Sequence, residues 1–113
     1  MSKVTTHVLD VSLGRPAASV PVLLELQLPA GAWQEEGRGA TDADGRLRDL
    51  AGEKVLAPGV YRLTFDTGAY FAAHKIAGLY PQVSIVFEIR DAQEHYHIPL
   101  LLSPFGYSTY RGS

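Results

Sequence analysis

Tyr61, Leu63 and Phe65 alternate with Arg62, Thr64 and Asp66, and the same period of two recurs along most of this 113-residue chain. Successive side chains of a strand point to opposite faces, so each such run must bury one apolar face against another layer. Residues 4–11 are rich in β-branched types and stop at Gly14-Arg15-Pro16. Residues 20–28 follow, with Pro21 near their start, where a missing N–H is tolerable at a sheet edge. Residues 32–41 carry Trp33 and run into Asp42-Ala43-Asp44-Gly45, which predicts a hairpin-type turn because Gly45 can take positive φ. Residues 82–90 direct Val83, Ile85, Phe87 and Ile89 inward. Residues 94–102 do the same for Tyr96, Ile98, Leu100 and Leu102. Short runs separated by turn signals at this spacing predict a sandwich or barrel.

One segment departs from the period. Residues 69–77 are alanine-rich, Phe71 and Ile76 can share a face, and Gly78 sits where a helix stops. They predict one helix of two to three turns. The expected fold is therefore all-β: a single domain over residues 1–113, made of two packed antiparallel sheets with one short helix outside.

Composition narrows the function classes. The net charge is −2 with no basic block, which argues against nucleic acid as a partner. No stretch is long and apolar enough to cross a membrane. The opening residues, Met1 to His7, lack an apolar leader core, so the cytoplasm is the expected compartment. Zero cysteines exclude disulfides and thiolate metal sites. There is no Gly-x-Ser-x-Gly elbow, phosphate-binding glycine loop or nucleophilic cysteine, so any hydrolysis must use activated water without a covalent intermediate.

Alternation also sorts the histidines. If Tyr96, Ile98, Leu100 and Leu102 face the core, His95 and His97 face away; if Val4, Thr6 and Val8 face inward, His7 projects outward. Outward histidines are ordinarily surface residues. His95-x-His97 also has a spacing that can chelate a metal, with His7 as a third ligand, but no carboxylate or cysteine completes a recognisable set. His74, on the expected helix, reads as a surface or capping residue. Arg46, after Asp44-Gly45, is either a solvated residue beside a turn or a fixed cation for a planar anion or amide.

Tyr110-Arg111-Gly112-Ser113 come directly out of a β-type segment, Gly106-Tyr107-Ser108-Thr109-Tyr110, with no polar tail between. Chain ends are usually loose, but one that leaves a strand in this way is expected to be held in place. It would add a phenol, a guanidinium and the Ser113 carboxylate to whatever site lies there.

Together these pieces resemble the transthyretin-related 5-hydroxyisourate hydrolases of urate breakdown. The likeness covers essentially the whole chain. It is carried by Thr6-His7-Val8-Leu9-Asp10, Gly14-Arg15-Pro16-Ala17 and Thr41-Asp42-Ala43-Asp44-Gly45-Arg46, and by the run from His97-Ile98-Pro99 through Ser103-Pro104-Phe105-Gly106 to the terminal Tyr-Arg-Gly-Ser. That last tetrapeptide is where the hydrolases differ from the hormone carrier transthyretin.

The resemblance implies a transthyretin-like sandwich and a homotetramer built as a dimer of dimers, with its sites at the dimer–dimer interface. It implies a catalytic histidine at His7 (a lysine in transthyretin), a second at His97, an arginine at Arg46 and a functional terminus from Tyr110 to Ser113. The implied reaction adds water to 5-hydroxyisourate, breaks the N1–C6 bond and gives 2-oxo-4-hydroxy-4-carboxy-5-ureidoimidazoline. His7 or His97 would be the general base, and Arg46 would bind the substrate's oxygens. Tyr110 and Arg111 would contact substrate, and the Ser113 carboxylate would orient a histidine or Arg111. No metal or organic cofactor is implied. The rival readings are a transthyretin-like carrier of small aromatic ligands, and a metal-binding or structural sandwich that takes up zinc through His95 and His97.

Overall fold

In the computed structural model, which describes residues 3–113, ten strands and one helix follow one another along the chain. They are β1 (Lys3–Asp10), β2 (Arg15–Pro16), β3 (Pro21–Gln27), β4 (Trp33–Ala40), β5 (Arg46–Leu47), β6 (Gly59–Phe65), α1 (Thr67–Ala73), β7 (Val83–Ile89), β8 (His95–His97), β9 (Leu100–Ser103) and β10 (Gly106–Thr109). One sheet runs β10-β9-β1-β2, with β5 and β8 also on β1; the other runs β4-β3-β6-β7. The two-sheet sandwich with one short helix is the architecture that the alternation and the resemblance called for. Met1 and Ser2, which open the stretch read for a leader, lie outside the described residues.

The inward faces are the expected ones. Val4, Thr6 and Val8 of β1 are buried, as are Tyr61, Leu63 and Phe65 of β6 and Tyr96, Ile98, Leu100 and Leu102 further on. Full burial of one such aliphatic or aromatic side chain stabilises by about 1.5–3 kcal/mol, so these positions hold the layers together. Val83 and Ile89 of β7 are buried, and Ile85 and Phe87 are half-buried against the same core.

Four local expectations are corrected. The first sheet is mixed: β1 pairs antiparallel with β2 and β5 on one side, but parallel with β8 and β9 on the other. Its neighbours on that side come from residues 94–102, which divide at Ile98-Pro99 because Pro99 has no N–H to give a ladder. The Asp42–Gly45 turn does form, with Gly45 at φ 75° and its N–H donating to the Asp42 carbonyl at 2.9 Å. It links strands of different sheets, however, and makes no hairpin. Pro21 opens a strand that lies between β4 and β6, so it is tolerated as a first residue and not as an edge residue.

The fourth correction concerns the helix, which spans Thr67–Ala73 and not residues 69–77. Asp66 caps its start by accepting from the Ala69 N–H at 3.0 Å. It ends at His74 because Lys75 turns left-handed, with φ 57°. The Lys75 N–H then donates to Ala72 and the Ile76 N–H to Phe71, the crossed pair of bonds that closes a helix C-terminus. Phe71 and Ile76 do share the core, through that closure and not through a third turn. Gly78 is not the stop: a Cβ there would come within 2.7 Å of the Phe71 ring.

Candidate active site on the outer face of the first sheet

Register decides which side chains meet. Thr5 and His7 project from the outward face of β1, where His7 lies opposite Arg46 of β5 and Thr5 opposite His97 of β8. A single strand thus collects two histidines and an arginine from three distant parts of the chain. They stand beside a cleft of about 350 Å3 lined by Lys3, Thr5, Arg46, Arg48, His97 and Ser113, among others.

His97 is the most constrained of these groups. Its Nδ1 lies 2.8 Å from Thr5 Oγ1, and its carbonyl accepts from the Gly112 N–H at 2.8 Å. That second bond is part of an isolated antiparallel bridge by which the terminal segment returns to β8. The imidazole edge lies so close to Gly112 that a Cβ there would clash with His97 Cδ2. Burial pushes the His97 pKa below that of free histidine, and the charges of His7 and Arg46 act in the same direction. The Thr5 backbone opposes them only in part. The ring is therefore held in its neutral form.

His7 is tied differently. Its Nε2 lies 2.9 Å from the Asp44 carbonyl. A carbonyl only accepts, so Nε2 carries the proton and Nδ1 keeps the lone pair in the neutral ring. The Asp44 carbonyl is there because the whole turn is pinned to β1, the Val8 N–H donating to the Gly45 carbonyl at 2.8 Å. Asp42 braces the same turn by accepting from the Asp44 and Arg46 N–H groups at 2.8 and 3.0 Å. Those bonds, Arg46 first, hold its carboxyl below the usual carboxylate range. Among the described residues no hydrogen bond or ion pair engages the Arg46 guanidinium, which stays available to a ligand.

The terminal tetrapeptide divides. Gly112 and Ser113 reach His97 and the cleft, whereas Tyr110 is largely exposed and does not line it. Arg111 turns to the opposite side of the sheet. Its guanidinium donates to Glu94 at 2.8 Å and to the His95 carbonyl at 3.0 Å, and lies 4.5 Å from the centre of the Tyr96 ring. His95 lines the cleft but completes no metal site: among the described residues no three histidine, cysteine or carboxylate side chains converge as ligands. The zinc arrangement of His7, His95 and His97 does not form. His74 caps the helix, its ring Nδ1 lying 2.9 Å from the Tyr70 carbonyl.

Sequence reasoning passed over Thr5, and the signal that finds it is the same alternation. Two residues before His7, it must share the outward face. It also passed over Asp10, which the period carries inward. Asp10 is 1% exposed and accepts from the Tyr70 hydroxyl at 2.7 Å, the Ser12 hydroxyl at 2.6 Å and the Ser12 and Leu13 N–H groups. Burial alone would raise its pKa, but these four donors outweigh burial and keep the carboxyl below its ordinary value.

Known proteins share this fold. The model of the HIUase/Transthyretin family matches residues 4–112. A Salmonella dublin protein named 5-hydroxyisourate hydrolase is 48% identical over 109 residues, which is 96% of this chain and 79% of that one. The solved structure of Klebsiella pneumoniae 5-hydroxyisourate hydrolase has a TM-score of 0.88 at 37% identity, covering 100% of both chains. Sea bream transthyretin in complex with thyroxine has a TM-score of 0.91 at 34% identity, over 96% of this chain and 93% of its own. Shape alone thus does not separate the two kinds of relative. On the family match across nearly its full length, the chain belongs to the HIUase/Transthyretin family.

Proposed function

We propose that this protein hydrolyses 5-hydroxyisourate in urate degradation, with the reaction taking place in the cleft beside β1. The observation that carries the reading is the convergence of His7, Arg46 and His97 on one outward face, where a purely structural sandwich needs no such cluster. Hydrolases named for this substrate are similar to the chain over its whole length.

His97 is the better general base. It is held neutral, and Nε2 is the ring nitrogen not engaged by Thr5. A water proton passes to Nε2 as the water oxygen attacks the C6 carbonyl. The Arg46 guanidinium favours the charge that develops on the carbonyl oxygen. As the C6–N1 bond breaks, the His97 imidazolium returns that proton to the departing N1, and His7, with Nε2–H on the Asp44 carbonyl, offers its Nδ1 lone pair to orient the water. Ser113 lines the same cleft as His97 and Arg46 and completes the site there. Arg111 acts at one remove, anchoring the segment that carries Gly112 and Ser113. Tyr110 contacts substrate once a neighbouring subunit covers the exposed face, in a dimer of dimers whose interface encloses the cleft. A cytoplasmic setting and the absence of a cofactor belong to the same reading.

The likeness to thyroxine-bound transthyretin supports a carrier as the second reading. Two facts favour the enzyme: a histidine at position 7, and a terminal segment that pairs Gly112 with His97 and brings Ser113 to the cleft. Freshly generated 5-hydroxyisourate, followed by ultraviolet absorbance with and without the protein, tests the proposal. Accelerated decay supports it, and decay unchanged by the protein overturns it.

A further inference from the structure

We propose that Thr5 is a positioning residue that fixes the tautomer of His97, its side-chain oxygen accepting the Nδ1–H so that the Nε2 lone pair faces the cleft. The inference rests on the hydrolase reading for its consequence, but not for its geometry. Thr5 Oγ1 and His97 Nδ1 are 2.8 Å apart, brought together by the parallel pairing of β1 with β8. The hydroxyl could in principle give or take the proton, since both arrangements make one hydrogen bond. The charges around the cleft decide between them.

The charged side chains that line the cleft beyond the ring are cationic: Lys3, Arg46 and Arg48. A lone pair turned toward them is favoured, and an N–H turned toward them is not. The Gly112 backbone beside the Cδ2 edge and Thr5 Oγ1 at Nδ1 flank the ring and hold it in this orientation. His7 shows the converse arrangement on the same strand face, since the Asp44 carbonyl holds the proton on Nε2. The two histidines on this face of the sheet thus stand as opposite tautomers.

The consequence is directional. A base needs its lone pair aimed at water, and the wrong tautomer presents an N–H there instead. Thr5→Val keeps the shape of the side chain and removes the acceptor. Thr5→Ser keeps the oxygen. The decisive measurement is nitrogen-15 NMR of ring-labelled histidine at a pH where His97 is neutral. We expect a protonated Nδ1 and a bare Nε2 at His97 in the wild-type protein and in Thr5→Ser, and a mixture of tautomers in Thr5→Val. Turnover should follow, with kcat lowered about tenfold to a hundredfold in Thr5→Val, KM little changed and Thr5→Ser near normal. A wild-type spectrum with the proton on Nε2, or a Thr5→Val protein with wild-type tautomer and kcat, overturns the proposal. If the wild-type protein proved inactive on 5-hydroxyisourate, the spectrum would still decide the role of Thr5, so the two readings fail separately.

Discussion

The two faces of β1 put similar chemistry to opposite uses. On the inward face Thr6 and Asp10 are both 1% exposed, and every polar atom is engaged: Thr6 donates to the Ile98 carbonyl at 2.6 Å, and Asp10 accepts from four groups. On the outward face Thr5 and His7 are half-buried and each is only partly engaged. Saturated polar groups in the core fix geometry, because leaving any of them unpaired is costly. Polar groups with spare valence beside a cleft can act on a ligand. What separates the saturated set from the set left available to a ligand is one residue of register, not residue type.

The sharpest way to break this comparison is at His97. His97→Asn should lower turnover of 5-hydroxyisourate by about 10²- to 10⁴-fold, the range a general base contributes, while the melting temperature changes little. Equal loss of folding and activity would place His97 with the inward set. Asp10→Ala should do the reverse. It strands the Tyr70 hydroxyl and the Ser12 and Leu13 N–H groups, at a cost of about 3 kcal/mol or more. Urea unfolding should show this, with kcat per folded molecule nearly intact. Because the Asp10 carboxyl titrates below its unfolded value of about 3.9, its contribution is full above that pH. It disappears as the pH falls through the folded value, and Asp10→Ala should lack that part of acid unfolding.

The depressed His97 value has its own signature. Its neutral ring favours folding at pH above about 6.5, and that contribution is lost as pH falls through the folded value. Turnover needs the neutral ring, so kcat/KM should hold at neutral pH and decline only below the titration of free histidine. A decline centred above about 6.5 would contradict the cause assigned to the shift. Gly112→Ala tests the terminal clamp, because a methyl group there must displace the His97 ring. We expect kcat to fall about tenfold, the equivalent of about 1.4 kcal/mol, with tertiary structure kept, as read by near-ultraviolet circular dichroism.

How far the sequence leads depends on the range of the forces involved. Side-chain alternation is local, so the inward set of β1, β6 and residues 94–102 was legible, and with it the outward placement of His7 and His97. Strand partners are long-range choices. Nothing local states that β1 runs parallel to β8 and β9, or that the Asp42–Gly45 turn crosses between sheets. The helix end failed for a different reason: Lys75 adopts a left-handed φ that the pattern reserves for glycine. Arg46 was legible only as a choice between a solvated and a functional cation, and its register opposite His7 gives the functional choice its geometry. The terminal segment was expected to be held. That its two halves face different ways follows from the bridge of Gly112 to His97, a contact with no local signature.

Arg111 offers the smallest and most discriminating test of that division. Its pair with Glu94 is about half exposed on both sides, and such pairs contribute between about 0 and 1 kcal/mol. Its stacking over Tyr96 adds about 0.5–1 kcal/mol. Arg111→Met keeps the length of the side chain and removes both interactions. If Arg111 only anchors the terminus, stability should fall by about 1 kcal/mol and kcat/KM by less than about tenfold, through a looser Gly112 and Ser113. Glu94→Gln should then reproduce part of the effect, because it weakens the same anchor from the other side. If Arg111 instead contacts the substrate directly, KM should rise in Arg111→Met alone, with Glu94→Gln near normal. That outcome would require the guanidinium to leave Tyr96 when the cleft is filled, and would move Arg111 to the functional side of the sheet.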